Sequence, residues 1–113
     1  MLKLSTTIED EEDVMLKRAV HPGVILKDEL KELGISPTEL ARQLEVPANR
    51  ISQIVNSKRA ITGDTALRLG HWFGNEPEFW LNLQSQFEIA TAEMEAGGAI
   101  KNLPPKCRQA FIL

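Results

Sequence analysis

The stretch Ala48-Asn49-Arg50-Ile51-Ser52-Gln53-Ile54-Val55 mixes two kinds of residue at helical spacing. On a helix, Ile51, Ile54 and Val55 share one side, and Ala48, Asn49, Arg50, Ser52 and Gln53 share the other. The second set has the chemistry of base-edge contacts in a DNA major groove. An Asn or Gln amide pairs with adenine N6 and N7, and an Arg guanidinium with guanine O6 and N7. Ala48 is small enough to let the helix end approach, or to touch a thymine methyl. The positive end of the helix dipole also favours a nearby phosphate. Asn56, Ser57, Lys58 and Arg59 follow as a loop, a suitable place for phosphate contacts that set register. Ser36 and Thr38, upstream, are placed to reach phosphates across the groove.

These groups need short helices to aim them, and the sequence punctuates five. The first is predicted over Pro22–Leu33, with proline in a first helical position, an apolar stripe of Ile25, Leu26, Leu30 and Leu33, and Gly34 as its stop. The second follows Ser36-Pro37-Thr38-Glu39, which reads as a capping box, and turns Leu40, Ala41 and Leu44 inward. Glu45-Val46-Pro47 breaks it, because the residue before a proline avoids helical backbone. The third spans about Ala48–Asn56. The fourth follows Thr62 as N-cap, carries Ala66, Leu67, Leu69, Trp72 and Phe73, and ends at Gly74. The fifth, about 76–95, has Asn75 as expected cap, carries Phe79, Trp80, Leu83, Phe87, Ala90 and Met94, and is expected to stop at Gly97-Gly98. Nothing reads as a strand, so the fold class is all-α.

With 113 residues, 42% of them apolar, the chain suits one small domain with a real core. The expected divisions are an acidic, flexible N-terminal arm (1–20), a helical domain (21–95) and a C-terminal tail (96–113) ending in Phe111-Ile112-Leu113. No run of 18 apolar residues spans a membrane, and the first 20 residues lack a secretory apolar segment. The single Cys107 forms no internal disulfide and fits a reducing compartment, so the expected location is cytoplasmic. The net charge of −3 argues against a nucleic-acid partner, but the distribution reverses that reading. Residues 46–63 carry Arg50, Lys58 and Arg59 and no acid, between two acidic ends.

Enzymatic constellations are missing. His21 and His71 have no ligand-spaced neighbours, Cys107 has no activating base, Ser36 and Ser52 have no triad partner, and no glycine-rich phosphate loop occurs. The expectation is a non-catalytic protein with neither metal nor cofactor.

Residues 36–54 resemble the helix-turn-helix of the lambda-repressor-like (Cro/C1, XRE) proteins. Further marks are His21-Pro22-Gly23, Lys58-Arg59-Ala60-Ile61-Thr62, Thr65-Ala66-Leu67-Arg68-Leu69 and Phe79-Trp80-Leu81-Asn82-Leu83-Gln84. Together they resemble the HigA (VapI-like) antitoxins over about residues 21–90. The resemblance implies a five-helix lambda-repressor-like DNA-binding domain. It implies a homodimer that binds double-stranded operator DNA and represses its own operon. It also implies a protein partner, a HigB toxin of the RelE-like mRNA endonuclease type. Alternatives are a stand-alone XRE-type regulator without a toxin and an interaction module that has lost DNA binding. The chain departs from the family pattern at Glu45 and Ser57, where glycine is usual, and at Pro37, where many relatives carry a DNA-reaching glutamine. A non-glycine at 45 must adopt a left-handed conformation, costing roughly 1–2 kcal/mol.

Reading a palindrome needs two recognition helices about 34 Å apart, hence a dimer contact. The fifth helix is the expected source, because Phe79, Trp80, Leu81, Leu83 and Phe87 exceed what one packing face requires. Trp80 and Leu81 are the residues expected in that interface; the alternative is that the apolar stripe only completes the monomer core.

Overall fold

The computed structural model describes residues 19–105, and the acidic run, Cys107 and Phe111-Ile112-Leu113 lie outside them. The described residues form five helices and no strand: α1 (Pro22–Leu33), α2 (Pro37–Leu44), α3 (Ala48–Val55), α4 (Gly63–Phe73) and α5 (Pro77–Lys101). None of these helices is long and apolar enough to cross a membrane.

The ends of α1 follow from its sequence. The Gly23 N–H donates to His21 Nδ1 at 2.9 Å, Pro22 fills the first turn, and Gly34 turns left-handed at φ 69°. Leu26 and Leu30 are buried and Ile25 half-buried, but Leu33 is 56% exposed. Periodicity identifies a face, not how far along it the neighbouring helix extends.

In α2, Ser36 Oγ accepts the Glu39 N–H at 3.1 Å, so the cap is present. The reciprocal half of the expected box is not made. The Glu39 carboxylate instead accepts from Arg42 Nε at 3.0 Å and Gln43 Nε2 at 2.8 Å, one turn further on. A charged donor at that spacing outcompetes a main-chain N–H.

Helix α2 packs chiefly on α3, and α4 on α5, while α1 lies over α3 and α5. Leu26, Leu40, Ala41, Ile51, Ile54, Leu69 and Trp80 meet in a single core. Ala41 is fully buried where α2 and α3 cross. In α4, Ala66 and Leu69 point in and Trp72 and Phe73 are half-buried, but Leu67 is 63% exposed.

Helix α5 corrects the sequence reading at three places. Its N-cap is Glu76, not Asn75, because Pro77 takes the first helical position; no side chain caps it. Its last residue is Lys101, so the expected boundary at 95–96 falls inside the helix. Gly97 and Gly98 do not stop it. Glycine ends a helix where the chain turns left-handed, and the positive-φ glycines are Gly34 and Gly74 alone among the described residues. The third correction is Trp80. It is 1% exposed, sits 5.5 Å from the Phe73 ring and 5.0 Å from that of Phe79, and belongs to the monomer core rather than to a dimer surface. An apolar stripe does not declare which of its members face inward.

Candidate nucleic-acid interface

Helix α3 is amphipathic as its spacing requires. Ile51, Ile54 and Val55 are buried, Ala48 and Asn49 are exposed, and Arg50, Ser52 and Gln53 are half-buried at the rim. Asn56, Ser57, Lys58 and Arg59 are exposed at its far end, and Ser36 and Thr38 at the start of α2. Base-contact and phosphate-contact candidates are thus all solvent-accessible.

Both ends of α3 are bounded by left-handed non-glycine residues, Glu45 at φ 59° and Ser57 at φ 62°. Each closes the preceding helix with paired main-chain hydrogen bonds. Val46 N–H donates to Ala41 O at 3.0 Å and Glu45 N–H to Arg42 O at 3.2 Å. Lys58 N–H donates to Gln53 O at 2.8 Å and Ser57 N–H to Ile54 O at 2.9 Å. This pattern satisfies the terminal carbonyls of each helix and offsets the backbone strain. The expected left-handed residue at 45 is present, and the turn keeps its hydrogen bonds without the glycine.

Two α3 side chains are held by partners that spacing did not indicate. Arg50 Nη1 donates to Asp64 Oδ2 at 2.6 Å, and Arg68 Nε donates to the same oxygen at 3.0 Å. Arg68 Nη1 also donates to Leu44 O at 2.7 Å, closing the end of α2. Hydrogen bonds from Arg68 and then Arg50 hold the Asp64 carboxyl below its ordinary pKa. Gln53 Oε1 accepts from Arg59 Nε at 2.8 Å.

The loop from α3 to α4 is fixed from inside. Buried Gln84 of α5 accepts the Ile61 N–H on Oε1 at 2.9 Å and donates from Nε2 to Glu88 at 2.9 Å. His21, also buried, packs edge-on against Phe87 with ring centroids 4.9 Å apart. Burial lowers its pKa, and a main-chain hydrogen bond with Arg59 works the other way. Along α5, Phe79 is 45% and Leu81 37% exposed, whereas Leu83 is half-buried against the core and Phe87 half-buried against His21.

A helix-turn-helix family, HTH_3, matches residues 26–80. Virulence-associated protein I of Dichelobacter nodosus is 46% identical over 78 residues, which is 68% of this chain and 72% of that protein. An addiction module antidote protein of a HigA family from Coxiella burnetii superposes with a TM-score of 0.76 at 47% identity, covering 79% of this chain and 99% of that one. The chain belongs to the HigA (VapI-like) family of helix-turn-helix proteins. The Pseudomonas aeruginosa antitoxin HigA, solved with the higBA promoter, gives a TM-score of 0.75 at 44% identity over 80% of this chain and all (100%) of that one.

The family marks outside the helix-turn-helix acquire physical roles. In His21-Pro22-Gly23, the histidine caps α1 and the glycine admits the Ile54 carbonyl of α3. In Phe79-Trp80-Leu81-Asn82-Leu83-Gln84, Trp80 fills the core and Gln84 anchors the loop that leaves α3. Asp64 carries no signal in the sequence, and Arg68 and Gln84 stand within the family marks without a role that the sequence assigns. A charged pair separated by 14 residues, such as Arg50 and Asp64, leaves no local spacing signal.

Proposed function

We propose that this HigA-family protein is the antitoxin of a type II toxin–antitoxin pair and binds its own operator as a homodimer. The observation that carries the proposal is the 44%-identical HigA solved with its promoter, which matches this chain across the helix-turn-helix. The exposed polar side of α3 supports it, with Ala48, Asn49, Arg50, Ser52 and Gln53 facing base edges. Ser36, Thr38, Asn56, Ser57, Lys58 and Arg59 contact phosphates on either side. The dimer forms through α5, where Phe79 and Leu81 are the exposed members of the expected set and Leu83 and Phe87 the half-buried ones. The partner to be neutralised is a HigB-type, RelE-like mRNA endonuclease, and both proteins act in the cytoplasm. A domain with α5 as its dimerising element, flanked by an acidic arm and a short tail, serves these tasks.

The test pairs growth with binding. The product of the adjacent reading frame is expressed alone and together with this protein. Toxicity alone and rescue with a stable complex together are expected. A harmless neighbour overturns the antitoxin reading. A gel shift on DNA upstream of the gene tests the operator reading separately, and the absence of any sequence-preferring shift overturns that part.

A further inference from the structure

Gln53 and Arg59 sit at opposite ends of one hydrogen bond, and its chemistry has only one sense. A guanidinium carries donors alone, so the Gln53 atom it meets is the amide oxygen. The Gln53 oxygen is therefore turned toward the loop, and its NH₂ group is what remains to be presented outward. The position of Arg59 is not accidental. Ser57 turns left-handed and Lys58 bonds back to the Gln53 carbonyl, which folds the chain over the end of α3. Two residues further on, the Ile61 N–H donates to buried Gln84 and holds the loop from its other side. Arg59 reaches Gln53 from an anchored backbone.

Adenine and guanine differ in what such a group can read. Adenine presents an acceptor beside a donor, N7 and N6–H₂, and a bidentate contact needs both ends of an amide. Guanine presents two adjacent acceptors, N7 and O6, and suits a donor. We infer that Arg59 is a specificity-setting residue, holding the Gln53 oxygen so that Gln53 acts as a donor and selects guanine over adenine in the major groove. The inference rests on the DNA-binding reading above. It assigns Arg59 a positioning role in addition to phosphate contact, which its Nη groups remain available to make.

The test is a base-substitution scan of the protected operator duplex, titrated with the full-length wild type, Arg59→Lys, Arg59→Met and Gln53→Ala. Wild type is expected to prefer guanine over adenine by about tenfold or more at one base pair of each half-site. Gln53→Ala removes that preference at that pair alone. Arg59→Met weakens binding everywhere and also abolishes or inverts the guanine preference, because the freed amide can present both ends to adenine. Arg59→Lys, also a pure donor, keeps the preference. If Arg59→Met weakens every duplex alike with the guanine preference intact, Arg59 is a phosphate anchor only and the inference is overturned. A wild type that binds DNA but shows no Gln53-dependent position overturns it as well. A wild type that prefers no sequence overturns the operator reading itself, and this inference with it. A DNA-free readout accompanies the scan: the Gln53 side-chain amide resonances of the free protein should move in Arg59→Met and hold in Arg59→Lys. Unmoved resonances in Arg59→Met contradict the contact.

Discussion

The carbonyl oxygen of Ile54 occupies the space that a Cβ on residue 23 would fill, and an ideal Cβ there would lie 1.7 Å from it. The contact is between α1 and α3, so the glycine sets how closely the two approach. Because the obstacle is main chain, it cannot swing aside. Gly23→Ala is expected to destabilise the fold by about 1–3 kcal/mol, the range for overpacking a tight contact. Chemical denaturation reads this as a lower midpoint at similar slope. An unchanged midpoint would show that the helices can separate freely.

His21 couples stability to pH, with a definite sign. Burial lowers its pKa in the folded state, below the ordinary value of 6.5. Above that value both folded and unfolded chains carry a neutral ring, and stability does not depend on this group. As pH falls through it, the unfolded chain takes up a proton that the folded chain resists, and stability declines until the folded ring also protonates. The unprotonated Nδ1 that accepts from Gly23 is lost at that point. Denaturation at about pH 7.5 and about pH 5.5 should show this loss in wild type and a smaller one in His21→Gln. Equal losses would remove His21 as the source.

Glu45 stores backbone strain at φ 59° in the turn before α3. Glu45→Gly relieves roughly 1–2 kcal/mol of it but adds about 0.4–1 kcal/mol of unfolded-chain entropy. The expected outcome is a net gain of up to about 1.6 kcal/mol, read in the same denaturation assay. A clear loss of stability would mean that the Glu45 side chain contributes more than its backbone conformation costs.

The helix plan was legible because each terminus has a local chemical cause. Ser36, Pro37, Gly34 and Gly74 act within a few residues of where they stand, and the order of five helices follows from them. The outward face of α3 was legible for the same reason, since period alone separates Ile51 and Ile54 from Asn49 and Arg50. What escaped depends on residues distant in sequence. By sequence Trp80 is surplus to the core, because nothing local reveals Phe73 across from it. Asp64 and Gln84 are polar residues on helices, unremarkable until the fold places them beside Arg50 and Ile61. Gly97 and Gly98 misled because composition does not report whether a glycine uses its conformational freedom.

Asp64 holds Arg50 and Arg68 on one carboxylate oxygen, and its removal should trade specificity for charge. Asp64→Asn frees a cation near the DNA face, so binding to unrelated DNA should tighten and its salt dependence steepen by about one phosphate contact. Discrimination between operator and unrelated DNA should fall, because Arg50 loses its orienting partner. Titration of both duplexes across a salt series measures each effect. A variant with unchanged salt slope and unchanged discrimination would show that the ion pair plays no part in DNA binding.

The most direct test of the α3 face as the DNA reader is a hydroxyl-radical footprint on the region upstream of the gene, with wild type and Arg50→Ala side by side. Wild type is predicted to protect two related half-sites centred about one helical turn, or a multiple of it, apart. Arg50→Ala is predicted to need a higher concentration for the same footprint, by about 1–3 kcal/mol in specific binding, with little change on unrelated DNA. Protection without paired half-sites, or an Arg50→Ala footprint identical to wild type in position and affinity, would contradict the account.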